Sequence, residues 1–273
     1  MTFIKYVFVL GLFIGTFVQA KIVVMVSVLP QSYLVQKIAK DLIDVKVMVP
    51  KGKSPEIYEP LPLQMRDVKE AQIYVGVGMP FEKKWLHRFK VTNPKIHFLD
   101  VPRTLTQSGF KISHDPHIWL SPALMKIQAR EIFRSIASID LKNKSFYKQN
   151  YEDLLKEIDT LDSEIKAIFA KPSAKKIFVV YHPAWQYFAS EYGLEEIAIE
   201  SEGKEAKSAH LQEVIDTIRA KNIRTIFLQP QFSKKQVQAL STELGLKIVE
   251  LDPLQENWAE AMLGYAKAIA NQE

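Results

Sequence analysis

From Lys21 onward, short apolar runs rich in β-branched residues alternate with stretches of helical periodicity. Lys21–Val28 (KIVVMVSV) reads as a strand and is followed by a helical stretch over Tyr33–Leu42. Val45–Pro50 (VKVMVP), Gln72–Val77 (QIYVGV) and Ile96–Val101 (IHFLDV) continue the strand pattern. Ser121-Pro122 opens a helix to about Ser138, with serine as N-cap and proline at the first helical position. Further on, Lys175–Tyr181 (KKIFVVY) is a strand and Ala184–Tyr192 a helix stopped by Gly193. Leu211–Ala220 is helical, Arg224–Leu228 (RTIFL) is a strand, and Ser233 with Gln236 forms a capping box for the next helix. Leu246–Leu251 (LKIVEL) is the last strand and Trp258–Ala270 the terminal helix.

Between these halves the rhythm changes. Apolar residues fall at Tyr147, Tyr151, Leu154, Ile158, Leu161, Ile165 and Ile168, alternately four and three apart. With no Gly or Pro from Asn143 to Phe169, the stripe predicts one unbroken helix of roughly 25 residues and about 40 Å. A coiled-coil dimer is the rival reading, but a stripe this short, flanked by α/β sequence, packs along its own protein. The fold class expected is therefore α/β. Two lobes, each with a mainly parallel sheet flanked by helices, are joined by one long rigid helix. The divisions fall at 1–20, a signal peptide; 21–140, an N-terminal lobe; 141–172, the linking helix; and 173–273, a C-terminal lobe.

The first twenty residues, MTFIKYVFVLGLFIGTFVQA, set the compartment. Lys5 precedes an apolar run from Tyr6 to Val18, and Val18-Gln19-Ala20 places small residues at −3 and −1 of a cut after Ala20. That is the layout of a secretory signal peptide; a retained anchor is the alternative, but the run is short for a span of about 20 residues. A soluble periplasmic protein, cleaved after Ala20, is expected. The chain has no cysteine, which removes iron–sulfur clusters, zinc fingers, cysteine nucleophiles and a lipid-modified N-terminal Cys. Its formal charge of +5 includes the leader's Lys5. The other lysines are dispersed rather than gathered with aromatics, so a solvated surface is expected and a nucleic-acid partner is not.

Candidate chemistry gathers at one structural address. His182 follows the strand KKIFVVY, Asp252 follows LKIVEL, Glu56 lies in the loop after VKVMVP, and His117 in the loop after IHFLDV. Each is expected beyond the carboxyl end of a parallel strand, where open α/β sheets form their ligand crevice. Each also adjoins a proline (Pro55, Pro116, Pro183, Pro253), which stiffens its loop. Two imidazoles and two carboxylates suit a divalent metal: imidazole favours zinc among others, and carboxylates admit harder ions such as manganese. Taken singly, each could equally be a cap or a hydrogen-bonded core group. His114 reads as exposed or as an auxiliary contact, and Glu200, Glu202 and Glu205 as a solvated acidic loop. No His-Glu-x-x-His, Gly-x-Ser-x-Gly or phosphate-binding glycine loop occurs.

The segments SPEIYEPLPLQM, DPHIWLSP, VVYHPAWQYFASEYGL and FLQPQFSKKQVQALSTELGLKIVELDPL resemble the metal-binding solute-binding proteins of zinc and manganese ABC importers. The resemblance runs from about Lys21 to the C-terminus. It implies a non-enzymatic protein with a metal in the cleft between two α/β lobes, delivering it to a membrane permease. Carried over by position, His117 matches the family's second ligand, His182 the third and Asp252 the fourth. The first is usually a histidine, and here that place holds Glu56; either its carboxylate binds or water replaces it. The cargo implied is Zn²⁺, with Mn²⁺ or Fe²⁺ as the other candidates, carried by a monomer with no membrane anchor. The His- and Asp-rich loop common before the second ligand in zinc members is short here, so metal scavenging by such a loop is not expected. Different-class alternatives are a metal-dependent hydrolase with an open coordination position and a metal-binding adhesin.

Overall fold

The computed structural model describes residues 21–111, 115–200 and 208–272. The proposed leader, His114, Glu202 and Glu205 lie outside the described residues. The first half runs β1 (Ile22–Val26), α1 (Leu29–Ala39), β2 (Ile43–Val47), α2 (Pro62–Glu70), β3 (Ile73–Gly76) and α3 (Pro80–Thr92). It continues through β4 (His97–Asp100), α4 (Val101–Gln107), α5 (Pro122–Ile139) and the long α6 (Lys144–Phe169). The second half runs β5 (Ile177–Val180), α7 (Gln186–Tyr192), β6 (Glu195–Ala198), α8 (Ser208–Ala220) and β7 (Thr225–Leu228). It closes with α9 (Lys234–Leu244), β8 (Lys247–Glu250) and α10 (Trp258–Asn271).

The strands form two four-stranded parallel sheets, ordered β2-β1-β3-β4 and β6-β5-β7-β8. In each, the first strand of the lobe sits inside with its successors on either side, so the chain reverses direction of growth across the sheet. That reversal opens a crevice at the carboxyl ends of the strands. The two crevices face each other.

The 26 residues of α6 bury Tyr147, Leu154, Ile158, Leu161 and Ile165 of the stripe read from the sequence, together with Phe169, while Tyr151 and Ile168 of that stripe are half-buried against the same core. These side chains pack against α1, α5 and α10 within the chain. One core runs from Val24 and Tyr74 in the first lobe, past Ile158 on α6, to Phe178 and Trp258 in the second. A separate cluster around Val179, Ile226 and Val237 fills the other face of the second sheet.

Three features were not legible in the pattern. The edge strand β6 carries only the short stretch EEIA, which has no alternation of apolar and polar residues to mark it. Glu196 is there for a tertiary reason: its Oε1 accepts from the backbone N–H groups of Ala184 and Trp185 at 3.0 and 3.1 Å, ahead of α7. α2 and α3 each begin at a proline that suits a first helical turn. α4 is inserted between β4 and the His117 loop, because Asp100 caps it by accepting from Arg103 N at 3.1 Å. By contrast the expected serine cap is present: Ser121 Oγ accepts from Leu124 N at 3.1 Å. Gly193, at φ 64°, ends α7 in the left-handed conformation that only glycine adopts without cost.

A candidate metal centre between the lobes

Glu56 comes from the loop after β2 and His117 from the loop that follows α4, both in the first lobe. His182 stands two residues beyond the end of β5 in the second. One ligand atom from each lies within 4.8 Å of the others, which makes this a group able to hold a metal ion. His117 and His182 are 4 and 5 % exposed, and their rings meet edge-on at 5.5 Å. Glu56 is more open, and its Oε1 lies 3.0 Å from His182 Nε2. The three line a void of ≈ 20 Å³ together with Trp119, Gln229, Gln231 and Phe232. A void of that size holds about one water-sized body. On the solvent side a cleft of ≈ 690 Å³ opens past the same three residues to Gln186 and Glu196.

Asp252 also sits beyond a strand end and is 7 % exposed, but its carboxylate is turned to neighbours of its own. Oδ1 accepts from Gln231 Nε2 at 2.9 Å and Leu254 N at 3.1 Å, and Oδ2 from Gln255 Nε2 at 3.0 Å. The structure thus gathers three of the four candidates and sets Asp252 behind Gln231, which lines the small void.

Both imidazoles are held from behind by carboxylates: Asp115, which the sequence reading did not single out, and Glu200, which it placed in a solvated loop. His117 Nδ1 lies 2.5 Å from Asp115 Oδ1, which also accepts from His117 N at 2.9 Å. An aspartate accepting from the backbone two residues on is an Asx turn, so the Asp115-Pro116-His117 spacing carried that signal. His182 Nδ1 lies 2.6 Å from Glu200 Oε2. Glu200 was expected in a solvated acidic loop; it is instead 8 % exposed, because the undetected strand β6 delivers it inward. The His182 ring also stacks on Phe232 at 4.9 Å.

The electrostatics follow from these contacts. A carboxylate only accepts, so Glu200 on Nδ1 and Glu56 on Nε2 together favour the charged, doubly protonated form of the His182 ring. Burial pulls the His182 pKa down, but the hydrogen bonds and charges of Glu56 and Glu200 outweigh it and leave it above the ordinary value. Glu56 is raised by its own burial and lowered more strongly by His182 and His117, ending below the usual carboxylate range. Glu196 is pushed up to about 7, chiefly by burial, against the lowering effect of its backbone donors. A divalent cation at Nε2 would displace the proton and take over from it as the charge facing Glu56.

The lobes are closed on each other beside this centre. Trp119 Nε1 donates to Pro253 O at 2.8 Å, and Trp258 Nε1 donates back to Trp119 O at 2.7 Å. Ser121 Oγ donates to Glu191 Oε2 at 2.6 Å, and Ala123 N to Glu191 Oε1 at 3.3 Å. The first seam therefore joins the indole two residues after His117 to the backbone carbonyl one residue after Asp252.

Two α/β lobes on a shared helix, with imidazoles and a carboxylate converging from both, define a two-lobed solute-binding protein with a metal-capable centre. The family described as zinc-uptake complex component A, periplasmic, matches residues 24–272, and the chain belongs to it. Among solved structures, one described as the crystal structure of ZnuA shares 36 % identity at a TM-score of 0.86, covering 92 % of this chain and 100 % of that one. The high-affinity zinc uptake system protein ZnuA of Bacillus subtilis is 26 % identical over 254 residues, 86 % of this chain and 79 % of that protein. The manganese ABC transporter substrate-binding lipoprotein PsaA of Streptococcus anginosus is 28 % identical over 233 residues, 79 % of this chain and 74 % of that protein. The chain is accordingly a metal-binding component of ABC importers and not an enzyme, as the resemblance implied.

Proposed function

We propose that this protein captures Zn²⁺ in the periplasm and hands it to the permease of an ABC importer, using Glu56, His117, His182 and Asp252. The observation that carries the reading is the convergence of Glu56, His117 and His182 within 4.8 Å, from both lobes, around a void of about one ion's size. Two imidazoles favour zinc over harder ions. Glu56 binds directly in this reading, since its carboxylate already faces His182 Nε2. Asp252 completes a tetrahedral set once it exchanges its bond to Gln231 for one to the metal. The manganese reading is supported by the similarity to PsaA and by the carboxylate at the first-ligand position.

The protein acts as a monomer, exported by residues 1–20 with cleavage after Ala20. No cysteine in the sequence offers a site for lipid attachment, unlike the relatives described as lipoproteins. Among the described residues no helix is long and apolar enough to cross a membrane. A competition titration of the metal-free protein with Zn²⁺ and Mn²⁺ tests the assignment. One Zn²⁺ per chain, bound more tightly than Mn²⁺, is expected; preference for Mn²⁺ overturns the zinc assignment, and binding of neither overturns the reading as a whole.

A further inference from the structure

The register of the second sheet continues past its last formal pair. β5 pairs with β6 at a constant offset, ending at Val180↔Ala198. The ladder runs on through Ile199 N to Val180 O at 3.0 Å and Glu200 N to Tyr181 O at 2.8 Å. Two positions beyond Val180 is His182, and two beyond Ala198 is Glu200. On the other side β5 pairs Val180 with Phe227, so the same step sets His182 beside Gln229. Gln229 Oε1 accepts from His182 N at 3.3 Å and its Nε2 donates to His182 O at 2.6 Å. His182 is thus gripped in register from both neighbouring strands, by its backbone on one side and its ring on the other.

The two grips do different things. Gln229 fixes where the main chain of His182 lies. Of the two, it is Glu200 that reaches the imidazole, at the nitrogen opposite the one facing Glu56. A neutral histidine has a single ring proton, and the group bonded to one nitrogen decides which tautomer is present. With a carboxylate at Nδ1, the proton stays there and the lone pair is left on Nε2, aimed into the void.

We propose that Glu200 is the positioning residue for His182, holding Nδ1–H so that Nε2 is the nitrogen presented to the metal. This rests on the metal-binding reading above. Glu200 touches no metal in this assignment and acts only through the ring. Its chemistry is that of a carboxylate behind a ligating histidine, whose loss typically lowers metal affinity about 10–100-fold.

The test uses the mature chain, Zn²⁺ and four variants: Glu200→Ala, Glu200→Gln, His182→Ala and the Glu200→Ala/His182→Ala double variant. Melting of the metal-free forms first establishes that each is folded. Glu200→Ala should lose about 10–100-fold in Zn²⁺ affinity. Glu200→Gln, which keeps an acceptor oxygen for Nδ1–H, should recover much of that loss. In the His182→Ala background the Glu200→Ala change should cost nothing further. Nitrogen-15 spectra of the imidazoles at a pH above the His182 titration should show Nδ1–H for His182 in the parent and a tautomer mixture in Glu200→Ala.

Equal affinity for parent and Glu200→Ala, or the same loss with and without His182, overturns the proposal while leaving the metal site standing. Failure of the parent itself to bind Zn²⁺ overturns the reading beneath it. If Glu200→Ala does not fold, Glu200→Gln and its spectrum decide: Zn²⁺ affinity that follows the tautomer, near-parent with Nδ1–H retained or reduced with a shift to Nε2–H, supports the assignment, and near-parent affinity despite that shift, or lost affinity with Nδ1–H retained, overturns it.

Discussion

His182 is where charge, burial and register meet, and its raised pKa has a consequence for pH dependence. A group whose folded pKa lies above its unfolded value, about 6.5 for histidine, stabilises the fold below that value. The contribution is lost as pH rises through the folded pKa. Glu56 runs the other way: its pKa is lowered, so its contribution is present above the ordinary carboxylate value and lost as pH falls through the lowered one. The Glu56–His182 pair of the metal-free protein therefore stabilises most between those limits. Metal needs Nε2 deprotonated, so it competes with that proton. Thermal melts with and without Zn²⁺ should show a shift that grows as pH is raised through the His182 titration and shrinks under acid conditions. A shift independent of pH would count against ligation by His182.

At the scale of elements, the seam around Trp119 carries two buried indole bonds, one from Trp119 to Pro253 O in the loop after β8 and one from Trp258 at the start of α10 to Trp119 O. Trp258→Phe keeps a large ring but removes the donor to Trp119 O, leaving a buried carbonyl without that partner. The expected cost is about 1–3 kcal/mol, measured by denaturant unfolding of the metal-free protein. Because Trp119 is two residues from His117, Zn²⁺ affinity should fall as well. An unchanged affinity in a destabilised variant would separate the seam from the site. The elements themselves were legible where periodicity was strong, as in α6, whose stripe needed only hydrophobic spacing. β6 was not, since four residues beginning Glu-Glu carry no alternation, and with it the inward turn of Glu200 was hidden.

For the whole molecule, one continuous core links both lobes through α6, and the tryptophan and Glu191 bonds close them beside the metal centre. A hinge motion would have to break buried apolar contacts, and packed cores do not deform continuously. The radius of gyration in small-angle X-ray scattering should therefore stay within measurement error when Zn²⁺ is added. A clear contraction would show that the lobes swing. With the radius unchanged, metal uptake involves the small loops carrying Glu56 and Gln231 more than the lobes.

Much of this protein follows from its order of residues. Alternating strands and helices require two parallel α/β layers, the uninterrupted stripe requires a long helix, and prolines beside Glu56, His117, His182 and Asp252 mark the loops at the strand ends. Those signals are local, and the chain displays them in one dimension. Which residues meet is set by the pairing offset of β5 with β6 and β7, and by how α6 and the seam orient the two crevices. Those quantities depend on contacts between residues far apart in sequence. Hence the fold was predictable, as was the address of the site. Only the tertiary structure decided that Glu56, His117 and His182 converge, that Asp252 faces Gln231, and that Glu200 stands behind His182.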